Sequence, residues 1–130
     1  MAYGFTTTVK ALDVDGAQCY FVTVVETDAA TTDEYTVTGL PTHGRIVLFI
    51  AKKGAGAAAT IQPAFTSVAG AASTDLGFIT AQPAAAAYFN DQSTVRYMNL
   101  VNGTLYGRSK PDAGADNVVT TWMLIIPGAA

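Results

Sequence analysis

The chain has 130 residues, half of them hydrophobic and 13% charged, with a formal net charge of −3. Its length suits one domain, 1–130, large enough to bury a core without a metal or disulfide. The seven Lys and Arg are scattered with no basic stripe, which argues against a nucleic-acid binder that tracks phosphates, and the lone Cys19 allows neither an intrachain disulfide nor a thiolate zinc site. Soluble domains are usually about 25% charged. Solubility must therefore rest on Thr, Ser, Asn and Gln, or on a partner that covers part of the surface.

Short β-rich runs separated by turn chemistry dominate the pattern. Phe5 to Leu12 is rich in Thr and Val, and Met1 to Thr8, with no charge and with Tyr3 and Phe5, reads as an N-terminal arm. Asp15-Gly16 then leads into Gln18 to Val25; a D-G pair between such runs signals a hairpin, because Gly tolerates the positive φ of a tight turn. Glu26 to Thr32 is polar and reads as a loop. Glu34 to Thr38 alternates as a half-buried strand does. After the turn Leu40 to Gly44, Arg45 to Ala51 is apolar on both faces and predicts a central, doubly covered strand.

Lys52 to Gly56 breaks that strand. Ala59 to Phe65 is the next one, with Pro63 forcing an edge or a bulge. Ser67 to Thr74 reads as a loop, and Leu76 to Thr80 and Ala86 to Phe89 as short strands. Thr94 to Val101 and Thr104 to Arg108 flank Asn102-Gly103, a second hairpin signal. Ser109 to Asp116 is a loop, and Val118 to Ile126 is the last strand, stopped by Pro127. The spacing predicts an all-β, single antiparallel β-sandwich with almost no helix.

The motifs that carry chemistry fail on their own terms. Gly54 to Ala59 matches the G-x-G-x-x-A dinucleotide fingerprint, with Asp75 downstream, but Pro63 comes too soon for the helix that must hold the phosphates. Asp13-Val-Asp15-Gly16 starts like a calcium loop, yet Gly16 falls fourth, and Val24 stands where a carboxylate is needed. Glu26, Asp28, Asp33 and Glu34 crowd one loop and are read as solvated carboxylates. His43 is the only histidine and reads as a turn residue; no nucleophile–base pair is in view. These readings predict no catalytic residue, no cofactor and no metal. The N-terminus has no secretory pattern, and the longest apolar run, Ile46 to Ala51, is far short of the ~20 residues that span a bilayer.

From Thr36 to Pro127 the order of segments resembles the small β-sandwich decoration or cement proteins of tailed-phage heads. The resemblance lies in Arg45-Ile-Val-Leu-Phe-Ile-Ala, the Gly/Ala turn after it and Thr60-Ile-Gln-Pro-Ala64. It continues in Thr94-Val-Arg-Tyr-Met-Asn99, Asn102-Gly-Thr104 and Thr121-Trp-Met-Leu-Ile-Ile-Pro127. It implies a jelly-roll-like sandwich, often trimeric, that binds the major capsid protein across shell subunits of a virion assembled in the host cytoplasm. It carries over no catalytic residue. A mean hydropathy of +0.29 with so few charges also predicts self-association. The expected contact residues are Tyr3 and Phe5 in the arm and Lys110, Pro111 and Asp112 in the long loop. A carbohydrate- or receptor-binding sandwich is the alternative, since some of the aromatics spread over the strands would suit stacking on sugar rings.

Overall fold

A computed structural model describes residues 2–14, 16–67, 69, 82–83 and 97–128. At 14, 17, 47–49, 82–83, 97–99 and 101 the description is of the backbone alone. The segments expected as strands at 76–80 and 86–89, most of the loop expected at 67–74, and Asp75 lie outside the described residues.

The chain is an antiparallel β-sandwich whose only described helical piece is a single 3-10 turn at Val101–Gly103. Among the described residues, the larger sheet has five strands. Its order is β1 (Gly4–Val14), β2 (Ala17–Ala29), β10 (Asn117–Pro127), β4 (His43–Lys53) and β8 (Tyr97–Asn99). The smaller has the order β3 (Tyr35–Val37), β9 (Leu105–Arg108), β6 (Ala64–Thr66), and a two-stranded ribbon pairs β5 (Thr60–Ile61) with β7 (Gln82–Pro83). The chain passes repeatedly from one sheet to another. The inner faces share one core. Val22, Val24, Ile46, Met123 and Ile125 come from the larger sheet, and Tyr35, Val37, Phe65 and Leu105 from the smaller. From Asn117 to Ile126, β10 reads buried and half-buried in strict alternation, as period-2 side chains on a sheet with one core face require.

β1 and β2 form a long hairpin in unbroken register from Gly4↔Thr27 to Val14↔Ala17, and Gly16 takes φ 79 in its turn. Two corrections follow. Residues 4–8 of the expected arm are part of β1, paired with residues 23–27. The expected loop at 26–32 starts later, because β2 runs on to Ala29. Its polar residues mislead because β2 bulges there: the register passes from Ala29↔Asn117 to Glu26↔Val119, and Asp28 sits at φ 52.

β4 lies inside the sheet, between β10 and β8, with Ile50 opposite Trp122 and Leu48 opposite Leu124. Its cover is one-sided where the sequence reads two-sided: Ala51 and Lys53 are buried, Ile50 is half-buried and Lys52 is exposed. The register shift between Ile46↔Ile125 and Leu48↔Leu124 inserts an extra residue in β4. Ile46 and Ala51, which a regular strand would point to opposite faces, are both buried. A bulge hidden in an apolar run looks like a strand covered on both sides.

Asn102-Gly103 is not a hairpin turn. β8 pairs with β4 and β9 pairs with β3 and β6, so the pair turns a corner between sheets. Its backbone still needs the left-handed region, with φ 56 at Asn102 and φ 67 at Gly103. Gly103 also packs against Leu40, whose carbonyl would lie 2.2 Å from an added Cβ. Gly103→Ala is therefore expected to cost about 2 kcal/mol in urea melts, from clash and strained φ together.

Candidate functional site

The expected contact residues converge at one end of the sandwich, but most are tied into the chain's own structure. Tyr3 is half-buried and its hydroxyl donates to Glu26 Oε2 at 2.8 Å. Phe5 is 42% exposed and packs between the rings of Tyr3 (centroids 5.9 Å) and Tyr35 (6.5 Å). Pro111 is buried and its carbonyl accepts from Thr31 Oγ1. Asp112 is exposed, yet its Oδ1 accepts from the backbone N–H groups of Ala59 and Thr60. Those bonds favour the charged form and hold its carboxyl below the usual range. Lys110 is half-buried and held at φ 50, a left-handed conformation that costs a non-glycine residue about 1–2 kcal/mol.

The 109–117 loop thus braces the Gly/Ala turn, with residues 112–116 exposed. Asp116 accepts from Ala57 N, and Asn117 Oδ1 accepts from Ala58 N at 3.0 Å while its Nδ2 donates to Ala29 O and Ala113 O. The fingerprint-like Gly54 to Ala59 opens no helix; Gly56 takes φ 115, and an added Cβ there would meet Asn117 at 2.4 Å. Asn117 is fully buried and links β2, the Gly/Ala turn and the brace. Asn117→Ala would strand several backbone groups and is expected to cost about 2 kcal/mol by chemical denaturation.

Glu26 is the residue whose role the sequence hides. It lies on the inner face of β2 with no exposed surface. Tyr3 satisfies one oxygen; Ser109 approaches the carboxylate without closing a hydrogen bond, so Oε1 and Ser109 Oγ have no partner. Desolvation raises the Glu26 pKa to about 7, against the opposing pull of Tyr3 and Ser109 and with a small push from Asp33. Burial next to this carboxylate likewise drives the Tyr3 and Tyr35 hydroxyls up. The other three carboxylates of the acidic stretch go elsewhere: Asp33 accepts from Ala30 N, Glu34 pairs with Arg108 at 3.4 Å, and Asp28 occupies the bulge. Among the described residues no three of His, Cys, Asp and Glu converge as metal ligands.

The outward face of the five-stranded sheet is the second feature. Side chains alternate along each strand, so the residues between the buried ones share this face. On β2 they are Cys19, Phe21, Thr23 and Val25; on β10, Trp122, Leu124 and Ile126; on β4, Ile50 and Lys52. Register sets Lys10, Phe21 and Leu124 in one cross-strand row and Thr8, Thr23, Trp122 and Ile50 in the next. Phe21 is 38% exposed and the other apolar members are half-buried. Comparison with protein-family models, curated proteins and solved structures returned no match to this chain.

Proposed function

We propose that this chain is a structural protein of a virus particle, a decoration or cement protein that docks on the major capsid protein and performs no chemistry. The observation that supports it most is the outward sheet face, where Phe21, Val25, Trp122, Leu124, Ile126 and Ile50 form an apolar surface edged by Lys10 and Lys52. A broad sheet face of this kind suits another flat protein surface better than a small molecule, which binds in a concave pocket. Apolar burial contributes about 25 cal/mol per Å², and binding across several shell subunits multiplies the effect through effective concentration.

Phe21→Glu tests the reading, because it places a charge in the middle of this face and leaves the core untouched. Co-sedimentation with the particle from the native source should fall at least about tenfold, with circular dichroism unchanged. Full retention of binding would defeat the proposal. The carbohydrate-binding alternative draws on the same face, where Phe21 and Trp122 stand on neighbouring strands as stacking groups. A glycan-array signal abolished by Phe21→Glu, with no particle binding, would favour it.

A further inference from the structure

Among the described residues, the two edges of the five-stranded sheet are unlike. One is β8, three residues long; the other is β1, eleven residues long. β1 pairs with β2 on one side, and among the described residues no strand pairs with its other side. An edge of this length presents a row of unpaired N–H and C=O groups. Proteins usually blunt such an edge with proline, a bulge, inward charge or brevity. β1 has no proline and no break in its register with β2, and its only such devices are two charges, Lys10 on the outward face and Asp13, which shares the parity of the core-facing Val9.

We propose that β1 is a self-pairing edge, through which two copies of the chain join antiparallel about a two-fold axis at Val9 into one continuous sheet. Two copies related by an axis perpendicular to the sheet keep their outward faces on the same side. Directly opposed residues must also share a face, so the two positions of each pair are both odd or both even. Only one register satisfies this and uses all eleven residues: Gly4 opposite Val14 of the other copy, with Val9 meeting its own equivalent. It sets Lys10 opposite Thr8 and Asp13 opposite Phe5, so no like charges meet. Slid two residues towards the hairpin turn, the pairing would set Lys10 against Lys10, which disfavours that register. Full pairing forms about ten main-chain hydrogen bonds. It also makes the apolar outward faces of the two copies contiguous. The inference stands whether or not the chain decorates a particle. Isologous edge pairing closes at two copies, so it differs from the trimer that the resemblance implies.

Thr8 is exposed, and in this register it faces Lys10 of the other copy twice per dimer. Thr8→Lys and Thr8→Glu therefore test the pairing with opposite signs. Sedimentation equilibrium of the full chain should show a species of twice 13.5 kDa. Its dissociation constant should rise about three- to tenfold in Thr8→Lys and fall by a similar factor in Thr8→Glu, the two shifts shrinking at high salt. Unchanged circular dichroism identifies both variants as folded. A monomer throughout the concentration range, a trimer, or a dimer indifferent to both substitutions would overturn the proposal.

Discussion

Tyr35→Ala is expected to lower the stability of the sandwich by about 4 kcal/mol, the range for removing a buried aromatic ring. Tyr35 is 1% exposed and lies opposite Gly107 in the β3–β9 pair. The ring occupies the space that a side chain at 107 would need: a Cβ there would stand 2.2 Å from Tyr35 Cζ. The glycine leaves the sheet locally bare and the tyrosine covers it, an arrangement known to rescue glycine in strands. Phe5 packs on the ring and the hydroxyl meets Thr121. Alanine at 35 therefore opens a cavity, uncovers Gly107 and leaves Thr121 without its partner. Tyr35→Phe keeps the ring and should cost only about 1 kcal/mol, the net worth of one hydrogen bond. Urea melts of the two variants separate these contributions. A loss below about 1.5 kcal/mol for Tyr35→Ala would mean that the ring is not part of the core.

Stability should also fall as pH rises from below 5 to above 7, and Glu26 should be the main cause. Its pKa is 4.5 in an ordinary setting and about 7 in the fold, so in this window the folded state binds the proton more tightly than the unfolded one. A proton held more tightly when folded makes the unfolding free energy decrease with pH. The stabilisation is complete below pH 4.5 and is lost as pH climbs through 7. At 1.36 kcal/mol per unit the full change is about 3 kcal/mol. Asp112 works in the other direction: its lowered pKa gives a contribution present above its ordinary value and lost at lower pH. Stability should therefore be greatest near the acid end of the window. Glu26→Gln keeps an acceptor for Tyr3 but removes the charge, so it should flatten the profile and be more stable than the wild type at pH 8. Parallel profiles for the two proteins would refute the assignment to Glu26. The same coupling makes the first residues structural, since deleting 1–5 would remove the hydroxyl that satisfies Glu26 Oε2.

Much of the fold was legible in the sequence because local rules govern it. The alternation in Glu34 to Thr38 and in Val118 to Ile126 has the period of a half-buried strand, and Gly16, at φ 79, suits the tight turn that the Asp-Gly pair signals. Propensity and period act over a few residues, so they identify strands and at least one turn without knowledge of partners. What they cannot decide is which strand pairs with which. Asn102-Gly103 needs the same left-handed backbone in a hairpin as at the corner it makes here, and only the pairing of β8 with β4 distinguishes the two. The bulges in β2 and β4 are likewise set by a neighbour's register. They turn a polar stretch into strand and an apolar run into a one-sided one. Glu26 stands next to Thr27 and Asp28 in sequence and reads as a loop carboxylate. It becomes a buried group with a pKa near 7 because β1 returns Tyr3 to it and the smaller sheet closes over it. Local pattern was enough to place most of the described strands, the scarcity of helix among the described residues and the shortage of charge. Pairing, register and burial came only with the tertiary structure, because each depends on contacts between residues far apart in the chain.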